Sequence, residues 1–156
     1  MESRDCMLDM DLIFTDLTFE TPEQAIRYGA QAMWQHGYVK KEYAESVLER
    51  EEQFPTGLPT EPFGIAIPHT NSSFVNKDAV CMIRLAHSLP FRQMGDSDTR
   101  VDVRLLFLLA VSVGDTHIEL LSKLMEMFSD EILLKQMMTA ADKETIAEIL
   151  EQAVGI

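Results

Sequence analysis

Apolar and polar positions along this chain fall into blocks that switch between strand-like and helix-like periods. The run Leu12-Ile-Phe-Thr-Asp-Leu17 is short, apolar and rich in branched side chains, and predicts a strand. A helix follows, opened by a Thr-x-x-Gln capping box with Thr21 as N-cap, Pro22 at the first helical position and Gln24 completing the box. Ala25, Ile26, Ala30, Met33 and Trp34 recur at helical spacing, and His36-Gly37 closes the element. From about Lys40 to Gln53 the pattern predicts a second helix. It buries Tyr43, Val47 and Leu48, turns a Glu-rich face outward and stops at Pro55.

Residues 55–63 hold three prolines and a glycine, and such a stretch neither continues a helix nor fills a central strand. This structured loop feeds a short strand, Gly64-Ile-Ala-Ile-Pro68, with His69 directly after the proline. Ala79–Leu85 and Val101–Val111 are further strands. The second contains the unbroken apolar run Leu105-Leu-Phe-Leu-Leu-Ala-Val111, which suits a central strand covered on both faces. Gly114-Asp115 then turns the chain into a helix of about Thr116 to Phe128, offering Ile118, Leu120, Leu121, Leu124, Met125 and Phe128 to the core. Ser129 is read as the cap of another helix to about Met138, and Asp142 as the cap of a last one through Ala153. Helices before, between and after strands predict an α/β sandwich. With no repeat and no linker, residues 1–156 are expected to form a single domain.

Composition supports a packed core without staples, since 46% of the 156 residues are hydrophobic. The net charge of −13 argues against nucleic acid and anionic membranes as partners. That charge is uneven. Residues 1–62 carry 13 acids and 5 bases and residues 107–156 carry 9 and 3, whereas residues 63–106 carry 4 and 5. Strands carry fewer charges than helices, which is the first account of a neutral middle; an anion handled near the middle is the alternative. The acidic start Met1-Glu-Ser-Arg-Asp5 lacks the regions of a secretory signal, and the apolar run Leu105–Val113 is too short to span a bilayer, so a cytoplasmic location is expected. Cys6 and Cys81 are too few for a disulfide framework, and Cys81 reads as a buried thiol.

Signatures for nucleotide binding, serine hydrolysis and zincin chemistry are absent. Of four histidines, His36 suits a helix C-terminus and His87 a loop leaving a strand. His69 is different, because a strand ending in proline presents its ring at the carboxyl edge of a sheet, where open α/β proteins build their sites. His117 falls in the first turn of the helix after the apolar strand. The positive helix end there favours an anion and disfavours a protonated imidazole. The two histidines also read as a metal pair, but neither has an acidic or cysteine partner at ligand spacing to supply a third donor.

Gly64-Ile-Ala-Ile-Pro-His-Thr70 resembles enzyme IIA of the bacterial sugar phosphotransferase system, in the fructose–mannitol superfamily. The resemblance takes in Leu48-Glu-Arg-Glu-Glu52 with Thr56-Gly57, Val103–Ala110, His117–Leu124 and the helix start at Phe128-Ser-Asp-Glu131, and covers about residues 8–152. Arg50–Gly57 looks most like the galactitol-type branch. The resemblance implies a mixed, mostly parallel central sheet flanked by helices on both faces. It also implies that His69 accepts a phosphoryl group from the histidine-containing phosphocarrier protein, through Nε2, and passes it to a cysteine of enzyme IIB. By position His117 becomes the hydrogen-bond partner of the phosphoryl group and Arg50 its charge stabiliser, with no metal or cofactor required. The loop with Pro59-Thr-Glu-Pro62 is longer than in the mannitol and nitrogen-regulatory branches, so Arg50 reaches the site across a differently shaped loop.

Such chemistry depends on alignment and positive electrostatics. Thr56 and Thr70 are candidate phosphate contacts, their alternative being turn caps. Partner docking calls for an apolar rim, with Phe54, Leu58, Phe63 and Phe74 as candidates and core packing as the alternative for each. Two other readings remain open at this point. One is a regulatory protein whose phosphorylation state, set at the same histidine, controls another protein; the other is a metal-dependent hydrolase built on His69 and His117.

Overall fold

The computed structural model describes residues 8–112 and 115–155, the side chains of residues 115–117 excepted. Strand β1 (Leu8–Leu17) leads into α1 (Pro22–Gln35) and α2 (Tyr43–Gln53). Two short strands, β2 (Gly57–Leu58) and β3 (Gly64–Ala66), precede the long strands β4 (Ala79–Gln93) and β5 (Asp96–Ala110), and α3 (Asp115–Phe128), α4 (Glu131–Thr139) and α5 (Lys143–Val154) complete the order. β1 runs parallel to β4, β5 parallel to β3, and β2 parallel to β4 where Gly57 faces Gln93; β2/β3 and β4/β5 are antiparallel. The sheet is therefore mixed and mostly parallel by pairing, as expected.

Parity along β4 and β5 decides which helices cover which face. Val80, Met82, Leu105, Phe107 and Leu109 pack with Leu120, Leu124, Met127, Leu134, Ile146 and Leu150 of α3–α5. Their alternates Ala79, Cys81, Ile83, Leu106, Leu108 and Ala110 pack with Ala25, Ile26, Ala30, Met33, Tyr43 and Val47 of α1 and α2. The apolar run in β5 is unbroken because both parities are buried.

Several local expectations are corrected. β4 continues past Leu85 to Gln93, so His87 lies within a strand rather than in a loop leaving one. Pairing with β5 shifts register between Arg84 and Leu89, which leaves His87 exposed, and the strand tolerates Pro90 beyond that irregularity. The hairpin turns only at Gly95, whose φ of +81° suits glycine. Asp130, not Ser129, caps α4: its carboxylate accepts from Leu133 N–H at 3.1 Å, while Ser129 Oγ donates back to the Met125 carbonyl. Ile118 and Met125, expected in the core, are 67% and 43% exposed. The second helix begins at Tyr43 because Lys40–Glu42 form a turn, with Tyr43 N–H donating to the Lys40 carbonyl. Thr21 and Gln24 behave as predicted: Thr21 Oγ1 accepts from Gln24 N–H, though the Gln24 side chain reaches back to Glu20 N–H.

Inside the proline-rich loop, β2 lies close to the hairpin. A Cβ at Gly57 would stand 2.6 Å from the Arg92 carbonyl oxygen, so only glycine fits there without movement. The same holds at Gly64, where a Cβ would meet Asp102 O at 2.8 Å. Among the described residues no helix is long and apolar enough to cross a membrane.

Candidate functional site

β3 hands the chain to Pro68 and His69 at the carboxyl ends of β3 and β5. Leu109, next to the last residue of β5, bridges His69 in parallel register, and its N–H donates to the Pro68 carbonyl at 3.1 Å. The Leu109 carbonyl in turn accepts from the buried Tyr43 hydroxyl of α2 at 2.6 Å. One peptide position thus locks the His69 segment and α2 to the same strand end.

The His69 ring is half-buried, and its Nδ1 lies 2.8 Å from the Ile67 carbonyl oxygen. A carbonyl only accepts, so in the neutral ring Nδ1 carries the proton and the lone pair sits on Nε2. Thr70 beside it is held by Ser46 of α2, Oγ to Oγ1 at 2.5 Å. Arg50 lies one helical turn after Ser46 on the same face of α2. It is exposed, with its guanidinium 5.5 Å from the Phe54 ring centroid, and no carboxylate pairs with it among the described residues. Pairing within its own helix, the alternative for Arg50, is not what the structure adopts. Its charge in the last turn of α2 also complements the helix dipole.

His117 sits in the first turn of α3, which leaves the end of β5 and begins at the same sheet edge. Its side chain lies outside the described residues. The connection between β5 and α3 is held to the start of β4 by Asp78, whose carboxylate accepts from Ser112 N–H at 2.9 Å.

Thr56 does not present its hydroxyl to the surface. It is 3% exposed, its Oγ1 donates to Glu51 Oε1 at 2.9 Å, its N–H donates to Glu51 Oε2 at 3.0 Å, and Oγ1 accepts from Ile67 N–H at 3.2 Å. Burial pushes the Glu51 carboxyl up to about 7, against the pull of the Thr56 hydrogen bonds and the Arg92 guanidinium. Neither Glu51, Tyr43 nor Ser46 was marked as a site residue by sequence. Helical period hides them, because Glu51 reads as one more member of the acidic face. Of the apolar rim candidates, Phe54 is 61% exposed and Phe63 and Phe74 are partly buried, whereas Leu58 is a core residue at 8%. Among the described residues no three His, Cys, Asp or Glu side chains stand together as a metal site.

Comparisons with known chains give the class of protein in which this sheet edge and its proline-presented histidine are set. Residues 7–153 match the family described as phosphoenolpyruvate-dependent sugar phosphotransferase system, EIIA 2, and the chain belongs to that family. It is 28% identical over 151 residues to multiphosphoryl transfer protein 1 of Escherichia coli K12, covering 93% of this chain but only 17% of that protein. A fructose-specific EIIA component of Haloferax volcanii is 31% identical over 112 residues, covering 70% of this chain and 68% of the relative. A galactitol-specific EIIA component of Escherichia coli O6:H1 is 28% identical over 105 residues, covering 67% and 69%. Among solved structures, the complex of enzyme IIA-mannitol with phosphorylated enzyme IIB-mannitol from Escherichia coli superposes with a TM-score of 0.75 at 25% identity, over 91% of this chain and 95% of that one.

Proposed function

We propose that this chain is a phosphocarrier whose His69 Nε2 takes a phosphoryl group from the histidine-containing phosphocarrier protein and passes it to a cysteine of an EIIB component. The observation that carries the reading is the hydrogen bond from His69 Nδ1 to the Ile67 carbonyl, which leaves the nucleophilic lone pair on Nε2. In the forward step that lone pair forms a bond to phosphorus as the bond from phosphorus to the donor's imidazole nitrogen breaks, and the donor nitrogen keeps the electron pair. The Ile67 carbonyl holds the Nδ1 proton while the ring carries the phosphoryl group. In the second step a thiolate of EIIB displaces the Nε2 lone pair from phosphorus. Negative charge spread over the phosphoryl oxygens is met by the N-terminus of α3, by His117 as neutral donor and by Arg50. The relative solved with EIIB-mannitol supports an EIIB acceptor here.

Within that role, the stretch Arg50–Gly57 supports galactitol or a related polyol as the sugar served, while the names of relatives divide among galactitol, fructose and mannitol. Incubation with phosphoenolpyruvate, enzyme I and the phosphocarrier is expected to label the chain with acid-labile, base-stable phosphate. His69→Ala should abolish the label, and persistence of labelling in that variant would overturn the assignment. Arg50→Ala is expected to slow labelling at an unchanged melting temperature.

A further inference from the structure

Glu51 departs from the rest of its helix. Glu45, Glu49 and Glu52 are exposed, yet Glu51 turns inward with both carboxylate oxygens engaged by one residue, Thr56. Burying a carboxyl costs free energy unless it is hydrogen-bonded, and here the bonds continue beyond the pair. Thr56 Oγ1 accepts from Ile67 N–H, and the Ile67 carbonyl accepts from His69 Nδ1. With Glu51 ionised, every direction in this chain is fixed. The Ile67 N–H can only donate, and above about pH 7, where Glu51 is ionised, its carboxylate can only accept, so in that state the one hydroxyl proton of Thr56 points to Glu51. Each bond polarises the next toward the carboxylate, and Ile67 is pinned at both its N–H and its C=O.

We propose that Glu51 is a positioning residue for His69, acting through Thr56 and the backbone of Ile67 to hold the imidazole in the tautomer with Nδ1 protonated and the lone pair on Nε2. The proposal rests on the phosphocarrier reading for its kinetic consequence but not for its structural one. Thr56 then serves the phosphoryl group through the ring and not by direct contact.

The test reads the ring itself. In the full chain with ¹⁵N-labelled histidine, His69 is expected to show the signals of the Nδ1–H tautomer. Thr56→Val removes the hydroxyl at nearly constant volume; it should move His69 toward a mixture of tautomers and slow phosphoryl acceptance tenfold or more, and Thr56→Ser should restore both. Glu51→Gln keeps one acceptor oxygen and should give a smaller change of the same kind. Parental ring signals together with parental transfer rates in folded Thr56→Val would overturn the proposal. Should that variant fail to fold, the same two parental readings in Glu51→Gln would overturn it. If the parent chain accepts no phosphate, the phosphocarrier reading falls while the ring signals still decide the positioning role.

Discussion

Arg84 shows how much one buried charge can organise. It lies in β4 at 4% exposure, and its Nη1 donates to the Met137 and Ala140 carbonyls at 3.0 and 2.8 Å, the last acceptors of α4. Its Nη2 stands 3.3 Å from Asp16 Oδ2, and among the described residues its Nε finds no partner. A helix end leaves four carbonyls without intrahelical donors, so this guanidinium does from the sheet what a cap does from the chain. Arg84→Met is expected to lower unfolding free energy by about 2–4 kcal/mol in urea titration. Phosphate labelling of the folded fraction should be unchanged, because none of its partners belongs to the His69 segment. Glu51 carries a pH signature. Its carboxyl titrates near 4.5 in an unfolded chain and near 7 in the fold, so the folded state binds the proton more tightly, and stability contributed below pH 4.5 is lost as pH rises through 7. Arg92 opposes this shift and Glu23 of α1 adds to it. Glu51→Gln should flatten the fall in melting temperature between about pH 4.5 and 7 relative to the parent; parallel curves would show that the carboxyl is not the group titrating.

At the scale of elements, caps decide boundaries that hydrophobic period leaves open. Asp130→Ala is expected to cost about 1 kcal/mol through the lost bond to Leu133 N–H, and Ser129→Ala distinctly less, read from denaturant midpoints. Equal losses would return the cap to Ser129. The sequence assignment failed there because two adjacent capping residues compete, and periodicity is blind to a shift of one. Elements with strong local grammar were legible: Thr21 with Pro22 and Gln24, Asp142 with Thr145, and the apolar run of β5 all stand where the pattern placed them. The long β4–β5 hairpin was not. Leu89-Pro90 looks like a strand end, and the register shift that accommodates it arises only from pairing with β5. Ile118 and Met125 illustrate the complementary error, since helical spacing identifies an apolar face wider than the one the sheet covers.

For the whole molecule, the three-layer arrangement was implied by the family resemblance, and the place of His69 at a carboxyl edge by a strand ending in proline, whereas the parallel pairing that brings the ends of β3 and β5 together shows only in the structure. What escaped was everything that acts through main-chain atoms or turns a polar residue inward: Tyr43 to the Leu109 carbonyl, Thr56 to Ile67 N–H, Glu51 to Thr56. Such contacts have no compositional signal. The acidic first and last parts of the sequence hold α1 to α5, which cover the sheet's two faces, and the near-neutral middle holds β3, β4 and most of β5. The Leu109 anchor has a further consequence for how this architecture can vary. Its N–H and C=O, not its side chain, fasten the His69 segment and α2, so exchanging one apolar residue for another at 109 leaves both fasteners in place. Inserting or deleting a single residue in the last turn of register before it would instead move both at once and reverse which helices each β5 side chain meets. The site is therefore tolerant of spelling and intolerant of length.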